Sequence, residues 1–300
     1  MQPIIIAGFG RSGTTWVSDI VSKTIGGLIL FEPDHPNVYA ESKEALYNPD
    51  LTAMDLQAHL KAISSKSKRD AWLIRNHLLS DEDQPKELID SIWRNSEIIG
   101  FKCIRWNHAL PALASISAKK LIYIIRHPLS VVASLMKRPR FFLDFDWETH
   151  WSVFKERNPL KEVDLKQYDQ SEMSIKYAAM WSITNIKALY DLQTLGIPFW
   201  SYEQLYHKPY ETAQSMNAYL GYSKTQIHPS YIFYPSMSTL RTFHTNNTEW
   251  PSFLDEDISI FWKDTLNDEM CVKVVSEIQK IAASYSEAAS VFGKLGYFKT

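Results

Sequence analysis

Residues 8 to 16 read Gly8-Phe9-Gly10-Arg11-Ser12-Gly13-Thr14-Thr15-Trp16, directly after the apolar run Pro3-Ile4-Ile5-Ile6-Ala7. Gly8 and Gly13 keep the glycine spacing of a phosphate-binding loop. Backbone N–H groups in such a loop turn inward around an anion, and a helix opening at Thr14 adds its positive end. A nucleotide triphosphatase needs Lys and then Ser or Thr after the second glycine, to reach the outer phosphates and hold magnesium. Here Thr14 and Thr15 take those places, and the cation comes earlier, as Arg11. The chemistry expected is phosphate binding without Mg-ATP.

A second group follows Leu121-Ile122-Tyr123-Ile124-Ile125, where Arg126-His127-Pro128 leads on through Ser130 to Ser134. This reads as a buried strand ending at an arginine, with Pro128 in the first turn of a helix that carries Ser134 two turns in. Ligands of doubly wound sheets bind where the strands' carboxyl ends emerge, so Arg126 and the first loop are expected to meet. Glu32 ends another apolar run, Leu28 to Phe31, where an acidic residue has few reasons to be; it reads as a candidate base or as a strand-end polar residue satisfied by the backbone.

The elements that must position these residues are short apolar runs alternating with helical patterns, the mark of strands and crossover helices in a parallel sheet. Strands are expected at Ile4 to Ala7, Leu28 to Phe31, Ile98 to Ile104, Leu121 to Ile125 and Ile197 to Tyr202. Helices are expected from Thr14 to about Thr24, from Pro85 onward, and from Ser171 to Leu195. After Gly221 the expectation is a polar loop followed by helices at Asp257 to Leu266 and Met270 to Ala289. The fold class is α/β, a three-layer, P-loop-like arrangement with a central parallel sheet flanked by helices. With no repeat or obvious linker, residues 1 to 300 are read as one domain.

The 300 residues are 45% hydrophobic, ample for a packed core. A net charge of -2 argues against nucleic acid or an anionic membrane surface as the main partner. The two cysteines, Cys103 and Cys271, show no CxxC spacing, and the nine histidines no HExxH pattern, so no disulfide framework and no metal are expected. Neither a signal peptide nor a transmembrane run is visible, and the expected location is cytoplasmic. The oligomeric state stays open between monomer and homodimer.

These motifs resemble those of the sulfotransferases that use 3′-phosphoadenosine 5′-phosphosulfate (PAPS). Arg11-Ser12-Gly13-Thr14-Thr15-Trp16 is similar to that family's 5′-phosphosulfate loop, with Arg where many cytosolic members have Lys. Arg126-His127-Pro128 with Ser134 is similar to its 3′-phosphate motif. Trp200-Ser201-Tyr202-Glu203-Gln204-Leu205, before Lys208-Pro209, resembles a third family stretch. The likeness runs from residue 4 to residue 209 and lies nearer the carbohydrate and bacterial-type members than the cytosolic phenol-type ones.

The resemblance implies that Arg11, Ser12, Gly13, Thr14 and Thr15 hold the 5′-phosphosulfate, that Arg126 and Ser134 grip the 3′-phosphate, and that Trp16 stacks on adenine or packs in the core. Tyr202 and Arg241 are further candidates for the donor site. The transferred group carries one negative charge, so Arg11 and the backbone can stabilise it without magnesium in an in-line displacement that leaves 3′,5′-ADP. The acceptor hydroxyl needs a base. Glu32, in the step Phe31-Glu32-Pro33, is similar to a catalytic Glu of carbohydrate and other membrane-type members. His108, in Arg105-Trp106-Asn107-His108, lies roughly where cytosolic members place a catalytic His; Glu32 is preferred. Lys102 and Arg105 flank the same opening.

The acceptor expected is a hydroxyl-bearing small molecule or carbohydrate. Phe141 to Trp147 reads as an acceptor lid or as a packed loop, and Lys137, Arg138 and Arg140 as a solvated basic helix end. Two other classes stay open, a P-loop kinase or NTPase and a non-catalytic nucleotide-binding module.

Overall fold

The apolar runs form a parallel sheet. In the computed structural model the described residues are 2–35, 48, 50–65, 71–74, 85–137, 152–154, 159–160, 163, 165–168, 171–233 and 260–299. Among them the sheet has five strands, β1 (Ile4–Gly8), β2 (Leu28–Phe31), β3 (Ile98–Cys103), β4 (Leu121–Ile125) and β5 (Phe199–Ser201). Their order is β2-β3-β1-β4-β5, and every pairing is parallel. β1 is central, with Ile5 opposite Phe101 of β3 on one side and Leu121 of β4 on the other. The winding reverses across β1, which opens a crevice at the carboxyl ends of the strands.

Helices cover both faces. They are α1 (Thr14–Ile25), α2 (Ala53–Ser64), α3 (Lys86–Asn95), α4 (Leu110–Ile116), α5 (Pro128–Met136), α6 (Met173–Leu195), α7 (Tyr202–His207), α8 (Pro209–Tyr219), α9 (Pro229–Phe233), α10 (Ile260–Lys263), α11 (Asp268–Ala282) and α12 (Ser286–Lys294). Ile5, Ala7, Leu30, Phe101 and Tyr123 pack with Leu56 and Leu60 of α2, Leu113 of α4 and Leu192 of α6. Ile4, Ile6, Ile29, Ile122 and Ile124 point the other way, onto Val17, Ile20 and Val21 of α1 and Met216 of α8. Strands buried on both faces need apolar residues at every position, which is why β1 and β4 read as unbroken runs. Each such side chain contributes about 1.5–3 kcal/mol on burial. The resulting layers, helix over sheet over helix, are the α/β fold expected.

Several boundaries differ from expectation. β5 begins at Phe199, after Pro198, because proline has no N–H to give a sheet ladder. It ends at Ser201, whose hydroxyl accepts from the Gln204 N–H while the Gln204 side chain accepts from the Ser201 N–H, so Tyr202 opens α7 instead of ending a strand. The helix expected from Met270 to Ala289 is two, α11 and α12, separated by a turn at Ala283 to Tyr285. That turn lets Phe292 of α12 and Tyr297 reach Trp181 of α6, with ring centroids 4.9 and 5.8 Å away. Of the helix expected from Asp257 to Leu266, only α10 is helical among the described residues. α2, unforeseen, starts from a reciprocal cap between Thr52 and Asp55. Among the described residues no helix is long and apolar enough to cross a membrane.

Candidate active site

The loop between β1 and α1 is shaped by close approaches. A Cβ on Gly8 would lie 2.5 Å from the carbonyl oxygen of Ile124, and one on Gly13 would lie 2.4 Å from the Tyr202 ring. Gly13 precedes α1 with φ 88°, a left-handed conformation that favours glycine. Arg11 is also left-handed, at φ 72°, which costs a non-glycine residue about 1–2 kcal/mol. Strain of this kind persists where the surroundings enforce it, and functional loops are where it collects. The Ser12 N–H turns back onto the Phe9 carbonyl at 3.1 Å.

Both sequence motifs meet here. The Nε of Arg11 donates to Ser134 Oγ of α5 at 2.8 Å, and the Nη1 of Arg126 donates to the Arg11 carbonyl at 3.2 Å. The Arg126 guanidinium lies over the Tyr202 ring, 4.1 Å from its centre, and Tyr202 in turn tilts against Trp16 at 5.7 Å. Ser12 Oγ, Trp16 Nε1 and Ser130 Oγ are buried with no hydrogen-bond partner among the described residues. A buried polar atom left so costs about 1–3 kcal/mol. With the arginines and the helix N-terminus beside them, these groups fit an anionic, oxygen-rich ligand at the β1–β4 crevice.

One strand over, the ends of β2 and β3 carry a buried ionic cluster. Glu32 receives Lys102 Nζ on Oε1 at 2.6 Å and Arg105 Nη1 on Oε2 at 2.9 Å. Burial alone would push the Glu32 pKa up, but the two cations and their hydrogen bonds outweigh it and hold the carboxyl at about 2. Glu32 is therefore ionised and doubly engaged, a weaker proton acceptor than its strand-end position suggested. It also has a left-handed backbone, at φ 43°. The Lys102 ammonium sits 3.9 Å from the centre of the Phe31 ring, and burial lowers its pKa.

Asp34 was not foreseen. It is fully buried, its Oδ2 accepts from the Arg105 and Trp106 N–H groups at 2.5 and 3.3 Å, and burial raises its pKa. Those two bonds hold the turn Trp106–Ala109, which carries His108. Asn107 ties the same turn to the loop, donating to the Ile104 carbonyl at 2.8 Å and to the Gly8 carbonyl at 3.4 Å. His108 is buried, edge-on to Phe154 at 6.0 Å. The signal for Asp34 and Asn107 was their nearness to the candidate bases, two residues after Glu32 and one before His108.

Arg241, the lid residues Phe141 to Trp147, Arg138 and Arg140 lie outside the described residues. Trp106, Trp181 and Trp200 are core. Among the described residues no group of three or more His, Cys, Asp or Glu is arranged to hold a metal ion.

A solved sulfotransferase domain from the curacin biosynthetic pathway is similar at 15% identity, over 95% of this chain and 98% of that one, with a TM-score of 0.48. No curated protein matches the chain. The profile of the sulfotransferase domain matches residues 1–286, nearly the whole chain. The chain belongs to the sulfotransferase family.

Proposed function

We propose that the protein, acting as one domain, transfers the sulfuryl group of PAPS to a hydroxyl-bearing small molecule or carbohydrate. The observation that carries this reading is the contact between Arg11 and Ser134, which joins the 5′-phosphosulfate loop to the 3′-phosphate motif in one cluster. Ser12, Gly13, Thr14 and Thr15 offer backbone and hydroxyl donors to the phosphosulfate, and Arg11 neutralises the bridge oxygen as it becomes an anion. Arg126 and Ser134 take the 3′-phosphate, while Trp16 and Tyr202 wall the nucleotide.

The base in this reading is Glu32, switched on by the donor. Burial favours a high pKa, and Lys102 and Arg105 hold it low. An anionic donor in the neighbouring loop competes for those cations. As they turn to it, Glu32 loses its partners and its pKa climbs toward the range useful for taking a hydroxyl proton. His108, in the turn that Asn107 ties to the loop, is the rival acceptor.

The test is thermal stabilisation by 3′,5′-ADP, 5′-AMP and Mg-ATP, followed by incubation with PAPS and a panel of sugars, phenols and small alcohols read by mass spectrometry. At about 100 times its Kd, 3′,5′-ADP should add about 2.7 kcal/mol of stability. Equal shifts with the three nucleotides would sink the donor assignment.

A further inference from the structure

The turn that begins the 3′-phosphate motif is held by Trp181 of α6 and by Glu203 of the third motif, with Tyr297 bound to the same carboxylate. Trp181 Nε1 donates to the Arg126 carbonyl at 3.1 Å, and the His127 N–H donates to Glu203 Oε1 at 2.9 Å. That carbonyl and that N–H belong to one peptide unit, so the plane from which the Arg126 side chain leaves is held at both ends. The other oxygen of Glu203 accepts from the Tyr297 hydroxyl at 2.7 Å. The His127 ring stacks flat on Trp262, 4.5 Å away at 8°, and Tyr297 meets it edge-on at 5.1 Å. His127 Nδ1 accepts from the Leu129 N–H at 3.3 Å, capping the helix that carries Ser134. Burial and the nearby Arg126 hold the imidazole neutral, with a pKa of about 4 despite a backbone bond to Gly296.

We propose that Glu203 and Tyr297 are positioning residues for the 3′-phosphate grip: they fix the Arg126–His127 peptide, and so make discrimination between 3′-phosphorylated and plain nucleotides depend on the segment that follows α12. The proposal rests on the donor reading above. A carboxylate suits this place because it accepts two hydrogen bonds at once, one from the turn and one from Tyr297. Tyr297 loads the second oxygen, which fixes the orientation of the first.

The experiment is calorimetric titration of wild-type, Tyr297→Phe, Glu203→Ala and Glu203→Gln with 3′,5′-ADP and with 5′-AMP, well below each melting temperature. Tyr297→Phe and Glu203→Ala should weaken 3′,5′-ADP by about tenfold, the scale of one charge-assisted hydrogen bond, and leave 5′-AMP nearly unchanged. Glu203→Gln, which can still accept from His127 and donate to the tyrosine oxygen, should restore most of the preference. Equal losses for both nucleotides, or none for either, would overturn the positioning role while leaving the donor reading intact. A wild-type protein that binds both equally would overturn the donor reading itself, and the proposal with it.

Discussion

Lys102 Nζ lies 2.6 Å from Glu32 Oε1, with the two side chains 2% and 8% exposed. A charge pair this deep is worth little against an apolar pair of the same shape, yet breaking it leaves one charge stranded. Lys102→Met should therefore destabilise the fold by about 3–5 kcal/mol, and Glu32→Gln added to it should recover a large part. Urea denaturation of the two single variants and the double one checks this; strictly additive losses would show that the pair is not coupled.

The same cluster sets an acid limb of stability. Glu32 has a native pKa of about 2 against 4.5 when unfolded, so the unfolded chain binds the proton more readily. Its contribution is fully present above pH 4.5 and is lost as pH falls through about 2. Asp34 runs the other way: its raised native pKa gives a contribution present below 3.8 that is lost as pH rises through the native value. In Lys102→Met the Glu32 carboxyl has one cation fewer, so its native pKa moves back toward 4.5 and its limb should be smaller and end at higher pH. Stability curves taken between about pH 2 and 5 read the difference, and superimposable acid limbs in the two proteins would count against it.

Much of this was legible in the chain. Strands buried on both faces announce themselves as apolar runs, and all five lie where such runs stand, with ends moved by one or two residues where Pro198 and the Ser201 cap intervene. The meeting of Arg11, Arg126 and Ser134 followed from the rule that strand carboxyl ends converge. What the sequence hid was pairing. Nothing local to Phe31-Glu32-Pro33 reveals that residues 102 and 105 lie across the strand and take both carboxylate oxygens. The break between α11 and α12 was hidden likewise, since it answers to a distant Trp181.

Gly13 has no room to change. Gly13→Ala would put a methyl 2.4 Å from the Tyr202 ring at φ 88°. The backbone strain alone is about 1–2 kcal/mol, and the clash pushes Tyr202 off Arg126. The variant should lose most 3′,5′-ADP binding. Tyr202→Ala in the same chain should relieve the clash but not the backbone strain, giving partial recovery of stability by thermal melting. Full recovery would mean that the left-handed φ is not enforced.

Arg11 separates binding from chemistry. In the proposed reaction its charge matters most as the bridge oxygen becomes an anion, and losing one such group typically costs about 10²- to 10³-fold in turnover. Arg11→Ala should lower kcat by that much and donor affinity by less. Ser134→Ala, which frees the guanidinium from its hydroxyl partner, should weaken 3′,5′-ADP more than it slows turnover. A kcat near wild type in Arg11→Ala would show that another cation covers the leaving oxygen.

The base is decided by comparing pH profiles. The kcat/KM for the donor reports groups in the free enzyme, where Glu32 titrates at about 2, whereas kcat reports the loaded enzyme. If the donor draws Lys102 and Arg105 away, Glu32 is less acidic when loaded, so kcat should fall on acidification at a higher pH than kcat/KM does. Glu32→Gln should remove that limb and lower kcat by about 10²- to 10⁴-fold, with the nucleotide titration confirming that the loop still binds 3′,5′-ADP. That control matters because the amide also leaves two cations with one carboxylate fewer. His108→Ala should then retain most activity, or mainly raise the acceptor's KM. A histidine base would instead leave the acid limb in place in Glu32→Gln and lose it in His108→Ala. A fully active Glu32→Gln would overturn the carboxylate mechanism and pass the proton to His108.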